Sequence, residues 1–311
     1  MYIIKDSFDF TVNHNTVITL GKFDGVHRGH QALIDRVLKY AGEHQRMGKT
    51  PKTVVFAFMM NHNMLLTVKE RRELLKNEGV DILVECPFVP LIITMEAEDF
   101  VRKILVEEMQ ACHLVVGNDY RFGYGRHGDV ELLERLGRKF GYTVEVVDKV
   151  KDGDTRVSSS RIREALRTGD METVNRLLGY RFFVEGSVIH GRRIGRTIGF
   201  PTTNLIPDGS KLLPPNGVYF SRCRIGGKTY DGVTNIGTKP TVDGHFLGVE
   251  TYLYDCEEDA DLYGRKQRIE LLHFSRPEQK FSSVSELREQ ITKDRESGRR
   301  YFEEKIVEGR S

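Results

Sequence analysis

The sequence predicts an α/β domain built on a parallel sheet, followed by an all-β domain that ends in a helix. Three observations carry this reading. In the first half, short segments rich in Val, Ile and Phe alternate with segments of helical period, the pattern of a parallel sheet covered on both faces. Near Gly179-Tyr180 the alternation gives way to short strand-like segments separated by Gly, Pro and Asp turns, as in a sandwich or barrel. The chain has 311 residues, too long for one small core, so two domains are expected, 1–180 and 181–311.

In order, buried strands are expected at 16–20, 53–58, 80–86, 113–116 and 143–147, with helices at 31–43, 68–78, 97–109 and 130–140. Thr67, with Glu70 three residues on, gives the second helix a capping-box start. Ligands of such sheets sit beyond the carboxyl ends of the strands. That places segment 21–30 at the mouth of the first strand and 117–128 at the mouth of the fourth. Two short helices are expected at 160–167 and 171–178, then strands at 182–189, 218–225, 228–233, 249–254 and 268–274. A last helix runs over 284–306, capped by Ser283 and Glu286, with Leu287, Ile291 and Phe302 facing inward.

Composition narrows the class of protein. Hydrophobic residues are 39% and charged residues 30%, as in a soluble globular chain. The net charge is only +2, and neither half has the positive excess of a nucleic-acid binder. Cys86, Cys112, Cys223 and Cys256 form no CxxC pair, so they read as reduced thiols and not as a zinc site or disulfide framework. There is no secretory pattern at the start, and no apolar run approaches the roughly 20 residues a membrane helix needs. A cytoplasmic location without membrane association is expected.

Two constellations point to nucleotide chemistry. The first is Gly21-Lys22-Phe23-Asp24-Gly25-Val26-His27-Arg28-Gly29-His30, between a strand and a helix. Its glycines let the backbone approach a ligand, and the helix start offers free N–H groups to phosphate. His27 and His30 can point at one ligand from the same side and donate to charge building on phosphate oxygens. An isolated His-x-x-His would more often be a solvated turn; its place directly after a strand favours the site. Ser158-Ser159-Ser160-Arg161-Ile162-Arg163 is either a phosphate cradle or a serine cap with exposed arginines. Gly117-Asn118-Asp119-Tyr120-Arg121-Phe122-Gly123 could stack a flat ring and accept from its polar edge through Asp119, or be a loop of packed aromatics.

The second constellation starts at the glycine-rich, basic segment 186–196, which contains Gly191 and Gly195 but lacks the end of a Walker A loop. It leads into Gly199-Phe200-Pro201-Thr202-Thr203-Asn204. Thr202 and Asn204 share one side if the segment is extended, and their oxygens suit a Mg²⁺ that keeps waters and bridges nucleotide phosphates. Glu250, on an alternating strand, could take the proton of an attacking hydroxyl, or be a surface glutamate.

The motifs at 21–30, 117–123 and 158–163 resemble, in that order, the N-terminal module of the prokaryotic bifunctional riboflavin kinase/FAD synthetase family. Segments 191–204, 214–219, 234–241, 249–253, Tyr263-Gly264 and 276–281 are similar to its riboflavin kinase module. Together they cover nearly the whole chain. The resemblance implies a nucleotidylyltransferase-like, Rossmann-like first domain and a six-stranded barrel with a terminal helix. It implies two reactions that consume ATP with Mg²⁺, riboflavin to FMN and FMN to FAD. It further implies Glu250 as base, His27 and His30 as catalytic phosphate ligands, and Thr202 and Asn204 as holders of the metal–nucleotide. Phe23, Asp24, Gly25, Ser159, Ser160, Arg163, Gly191 and Gly195 would line the ATP sites, and Asn118, Asp119, Phe122 and Arg276 the flavin sites. The chain departs from the family where Phe-x-Pro-His-Pro is usual: it has Phe56-Ala57-Phe58-Met59-Met60, with His62 as a shifted substitute. A second reading is therefore a riboflavin kinase with a weak or inactive adenylyltransferase domain.

Overall fold

The computed structural model describes all residues except 6–9, 60–62, 88, 192–198, 242–243, 258–259 and 309–311; for 239–241, 244–246 and 306–308 it describes the backbone alone. The chain divides into two compact units, Met1–Ser159 and Ser160–Ser311.

The first unit opens with strand β1 (Tyr2–Lys5), followed by β2 (Thr16–Gly21), helix α1 (Arg28–Arg46), β3 (Lys52–Phe58), α2 (Val68–Asn77) and β4 (Ile82–Cys86). Two short turns of helix come next, α3 (Pro90–Ile93) and α4 (Ala97–Asp99), the latter continuing as a π-wound stretch, Phe100–Glu108. β5 (Ala111–Gly117), α5 (Val130–Phe140), β6 (Thr143–Val147) and the small hairpin β7 (Lys151–Asp152) and β8 (Thr155–Arg156) complete it. The sheet order is β1-β4-β3-β2-β5-β6, and every pairing is parallel. β2, β3 and β4 are buried along nearly their whole length, as strands covered on both faces must be.

The strand order reverses between β2 and β5, so the crevice at their carboxyl ends is the topological switch point. Gly21 ends β2 and Gly117 ends β5. The two loops singled out in the sequence therefore flank that crevice. The Thr67–Glu70 capping box is present, with Thr67 Oγ1 accepting from the Glu70 N–H and the Glu70 carboxylate accepting from the Thr67 N–H.

The second unit begins with α6 (Ser159–Thr168) and α7 (Met171–Leu178). Six strands follow: β9 (Phe183–Ser187), β10 (Thr202–Leu205), β11 (Gly217–Ile225), β12 (Lys228–Thr241), β13 (Gly244–Leu253) and β14 (Lys266–Pro277). They form one antiparallel sheet in the order β10-β13-β12-β11-β14-β9. An Ile189 N–H to Asn204 O bond of 2.8 Å links the continuation of β9 to β10, so the sheet curls until its two edges meet. Helix α8 (Val284–Glu308) packs Tyr301 and Phe302 onto Phe220, Val233, Tyr252 and Tyr254. Its start is held by Ser283 Oγ, which accepts from the Glu286 N–H, while Ser282 donates to the Glu286 carboxylate.

The structure adds elements that periodicity did not show. β1 is a four-residue edge strand, too short to carry a pattern. β10 is a four-residue strand, which the sequence offers only as a polar strand start after a turn. β12 runs on past the expected end at 233 to Thr241, through Gly237; Gly232 within it lies so close to the Tyr252 carbonyl that a Cβ would collide with it. α1 starts three residues earlier than its apolar period because His27 caps it.

Candidate functional site

Segment 23–26 makes an unusual turn. Phe23, Gly25 and Val26 have φ of 46°, 82° and 35°, three left-handed residues out of four. Only Gly takes that region without cost, so the strain at Phe23 and Val26 is held by their complete burial. Asp24 is also buried: its carboxylate accepts from the Leu65 N–H at 2.9 Å, and its carbonyl accepts from Ser159 Oγ at 2.9 Å. Ser159 thus anchors this loop from the far end of the unit. Asp24 fixes the loop, and no phosphate contact is needed to explain its burial.

The turn delivers His27 to the N-cap of α1. Its Nδ1 accepts from the His30 backbone N–H at 3.3 Å. The two imidazoles stack at 3.8 Å between centroids, and Phe23 covers His30 at 4.8 Å. Burial lowers the His27 pKa to about 4; burial and then the neighbouring His27 push His30 well below its ordinary value. Both rings are neutral at pH 7. Because His27 Nδ1 is an acceptor, its proton sits on Nε2, which makes Nε2 a hydrogen-bond donor at the helix start. His30 Nδ1 is buried with no partner among the described residues.

At the mouth of β5, the Asn118 side-chain amide donates to Asp148 at 2.9 Å, and exposed Asp119 pairs with Lys149. Phe122 is buried in the core, between Tyr120 and Phe100. Ser160, exposed, and Arg163, half-buried, lie on α6 in the second unit. Met59 follows β3; Met60 and His62 lie outside the described residues.

The second site is set by register. Asn204 of β10 stands directly opposite Glu250 of β13, and Glu250 stands opposite Asn235 of β12. Cross-strand partners have Cα atoms about 4.5–5.5 Å apart, so these three side chains form one row on the outer face. Thr203, Thr251 and Thr234 form the neighbouring inward row, buried and joined through Thr234 Oγ1···Thr251 Oγ1 at 2.9 Å. Thr202 and Asn204 therefore do share a side, the outer one. Gly191 packs on the Asn204 amide so closely that a Cβ would come within 2.8 Å of it, which explains a glycine there. Gly195 lies outside the described residues.

Arg276 forks onto Asp294 of α8, Nε to Oδ1 at 2.8 Å and Nη2 to Oδ2 at 2.6 Å, which ties the terminal helix to β14. Asn235 was missed as a candidate by itself. Its signal was its place in Thr234-Asn235-Ile236-Gly237, but only the pairing shows that it borders Glu250. The described residues contain no group of three or more His, Cys, Asp or Glu that could hold a metal ion; hydroxyl and amide oxygens such as those of Thr202 and Asn204 are of the kind a hard cation accepts.

Comparison with known proteins agrees with this division. Residues 9–161 match the family model described as FAD synthetase, and residues 178–302 the one described as riboflavin kinase. The bifunctional riboflavin kinase/FMN adenylyltransferase of Escherichia coli (strain K12) is 36% identical, over 92% of each chain. That of Bacillus subtilis (strain 168) is 34% identical, again over 92% of each. A solved structure described as a macrolide-efflux protein from Streptococcus pneumoniae superposes with a TM-score of 0.84 at 30% identity, covering 96% of this chain and 99% of its own. No helix among the described residues is long and apolar enough to cross a membrane. With both modules matched in order and relatives of this identity aligned over 92% of each chain, the chain belongs to the family of bifunctional riboflavin kinase/FMN adenylyltransferases.

Proposed function

We infer that the chain makes flavin nucleotides in two ATP-dependent steps, phosphorylating riboflavin to FMN and adenylylating FMN to FAD. The observation that carries this reading is the match of both modules to one chain, in the same order as in its bifunctional relatives. We assign the adenylyltransferase to 1–180 and the kinase to 181–311.

In the kinase, Glu250 takes the proton of the ribityl 5′-hydroxyl as that oxygen attacks the γ-phosphorus of ATP and ADP departs. Asn204 and Asn235 flank the carboxylate and keep it oriented. Thr202 and Asn204 hold Mg²⁺ with the nucleotide, where the metal supplies charge neutralisation at the phosphates. In the adenylyltransferase, a phosphate oxygen of FMN attacks the α-phosphorus of ATP and pyrophosphate leaves. The neutral imidazoles of His27 and His30 donate to the charge that develops. The α1 start, Gly25 and Ser159 hold the triphosphate, with Phe23 and Asp24 shaping the turn. Asn118, Asp119 and Phe122 serve the flavin, and Arg276 serves the flavin of the kinase by ordering α8. The partners are small molecules, with no nucleic acid or membrane, and the location is cytoplasmic.

Incubating the protein with riboflavin and Mg-ATP and separating the flavins chromatographically tests this. FMN and FAD together support it; neither product defeats it. FMN accumulating without FAD at saturating ATP supports instead the kinase-only reading, which the Met59 substitution motivates.

A further inference from the structure

The carboxyl end of the parallel sheet holds a buried cation with no assigned role. Arg71, on α2, is 1% exposed. Its guanidinium has five N–H donors and needs acceptors for them. Nη2 reaches Glu85 Oε1 at 3.3 Å and Met59 Sδ at 2.7 Å, while Nε has no partner among the described residues. A thioether is a weak acceptor, and an unpaired buried donor is costly. Glu85 does not require Arg71, because Arg72 already forks onto it, Nε to Oε1 at 3.0 Å and Nη2 to Oε2 at 2.5 Å. Burial is the largest influence on the Arg71 charge and disfavours it; Glu85 and, more weakly, the buried Asp24 carboxylate in the loop that carries His27 oppose that.

The position of Met59 completes the argument. Counted from Phe56, Met59 occupies the place of the histidine in Phe-x-Pro-His-Pro, directly after β3, which pairs with β2. The chain has lost a ring nitrogen there and has a guanidinium in contact with the replacement. A partner that fits presents several charged oxygens to a planar fork, as a phosphate does. A methionine side chain, unbranched with three rotatable bonds, can move out of its way.

We propose that Arg71 binds the triphosphate of ATP in the adenylyl-transfer site, an anionic oxygen taking the acceptor place that the Met59 thioether fills. This rests on the adenylyltransferase reading above and concerns binding alone, with no bond made or broken by Arg71.

The test is steady-state kinetics of the full chain, following FAD formation from FMN and Mg-ATP and, separately, FMN formation from riboflavin. Arg71→Met raises the KM for ATP at least tenfold in FAD formation and leaves FMN formation within twofold. Arg71→Lys, which keeps the charge and loses the fork, raises it several-fold. Met59→Leu removes the sulfur at similar volume and leaves the KM for ATP unchanged or lowered. An unchanged KM for ATP in Arg71→Met, with kcat and Tm falling together, overturns the proposal, since a purely structural ion pair behaves that way. If Arg71→Met does not fold, an unchanged KM in Arg71→Lys overturns it equally. So does a rise in Met59→Leu as large as that in Arg71→Met. Absence of FAD from the unmodified protein removes the adenylyltransferase reading itself, and this inference with it.

Discussion

Replacing His27 with asparagine separates its two roles. Asparagine is a strong N-cap and keeps the acceptor for the His30 N–H, so α1 still starts at Arg28. It neither titrates nor presents a ring donor. The folded His27 has a pKa of about 4, against about 6.5 in an unfolded chain. Below pH 6.5 the unfolded state binds a proton that the folded state refuses, so stability is lost as pH falls through that window and levels off near pH 4. Linkage gives a loss of about 2 kcal/mol between pH 7 and pH 5 from this one ring, approaching about 3 kcal/mol at still lower pH. His30 contributes in the same direction in both proteins, because burial is the larger cause of its shift. The difference between wild type and His27→Asn therefore reports His27 together with the smaller part of the His30 shift that the His27 charge causes. Amide exchange of the β2–α1 segment at pH 7 and pH 5, corrected for intrinsic rates, reads the local opening free energy. Wild type loses about 2 kcal/mol more than the variant over that interval. Equal losses would refute the account of a buried, neutral cap. The same variant lowers FAD formation by about 10²–10³-fold, as removal of one donor to a developing oxyanion does, with FMN formation unchanged.

Three further outcomes are expected. Glu250→Gln lowers FMN formation by about 10²–10⁴-fold and leaves FAD formation from supplied FMN intact; equal loss of both activities argues against separate sites. Gly25→Ala forces a side chain into φ of 82°, which costs about 1–2 kcal/mol and slows FAD formation while sparing the kinase; unaltered FAD kinetics and denaturation midpoint would contradict the left-handed turn. Asp294→Asn removes the charge that Arg276 forks onto, at a cost of about 1–3 kcal/mol. Amide protection of α8 then falls, and unchanged protection would count against its docking through this pair.

Much of the fold was legible because its signals are local. The apolar runs of β2, β3 and β4, the Thr67–Glu70 box and the Ser283–Glu286 cap are fixed by residues within one turn or one strand of each other. β1 and β10 were not legible, since four residues cannot show a period and their pairing partners lie far along the chain. The candidate site divides the same way. His27, His30, Thr202, Asn204 and Glu250 stood out from motif and spacing, whereas Asn235 was marked only by its place in Thr234-Asn235-Ile236-Gly237 and Arg71 had no local mark.

By itself, then, the sequence determined most of the longer strands and helices, the Thr67–Glu70 and Ser283–Glu286 caps, and which residue types could handle phosphate, all consequences of short-range sterics, hydrogen bonding and burial period. The tertiary structure decided the strand order that brings Gly21 and Gly117 to one crevice, and the register that sets Asn204 and Asn235 on either side of Glu250. It also brought Arg71 against Met59. Those choices depend on which distant surfaces bury each other best, and a shift of one residue in strand pairing would turn Glu250 from the outer face to the core.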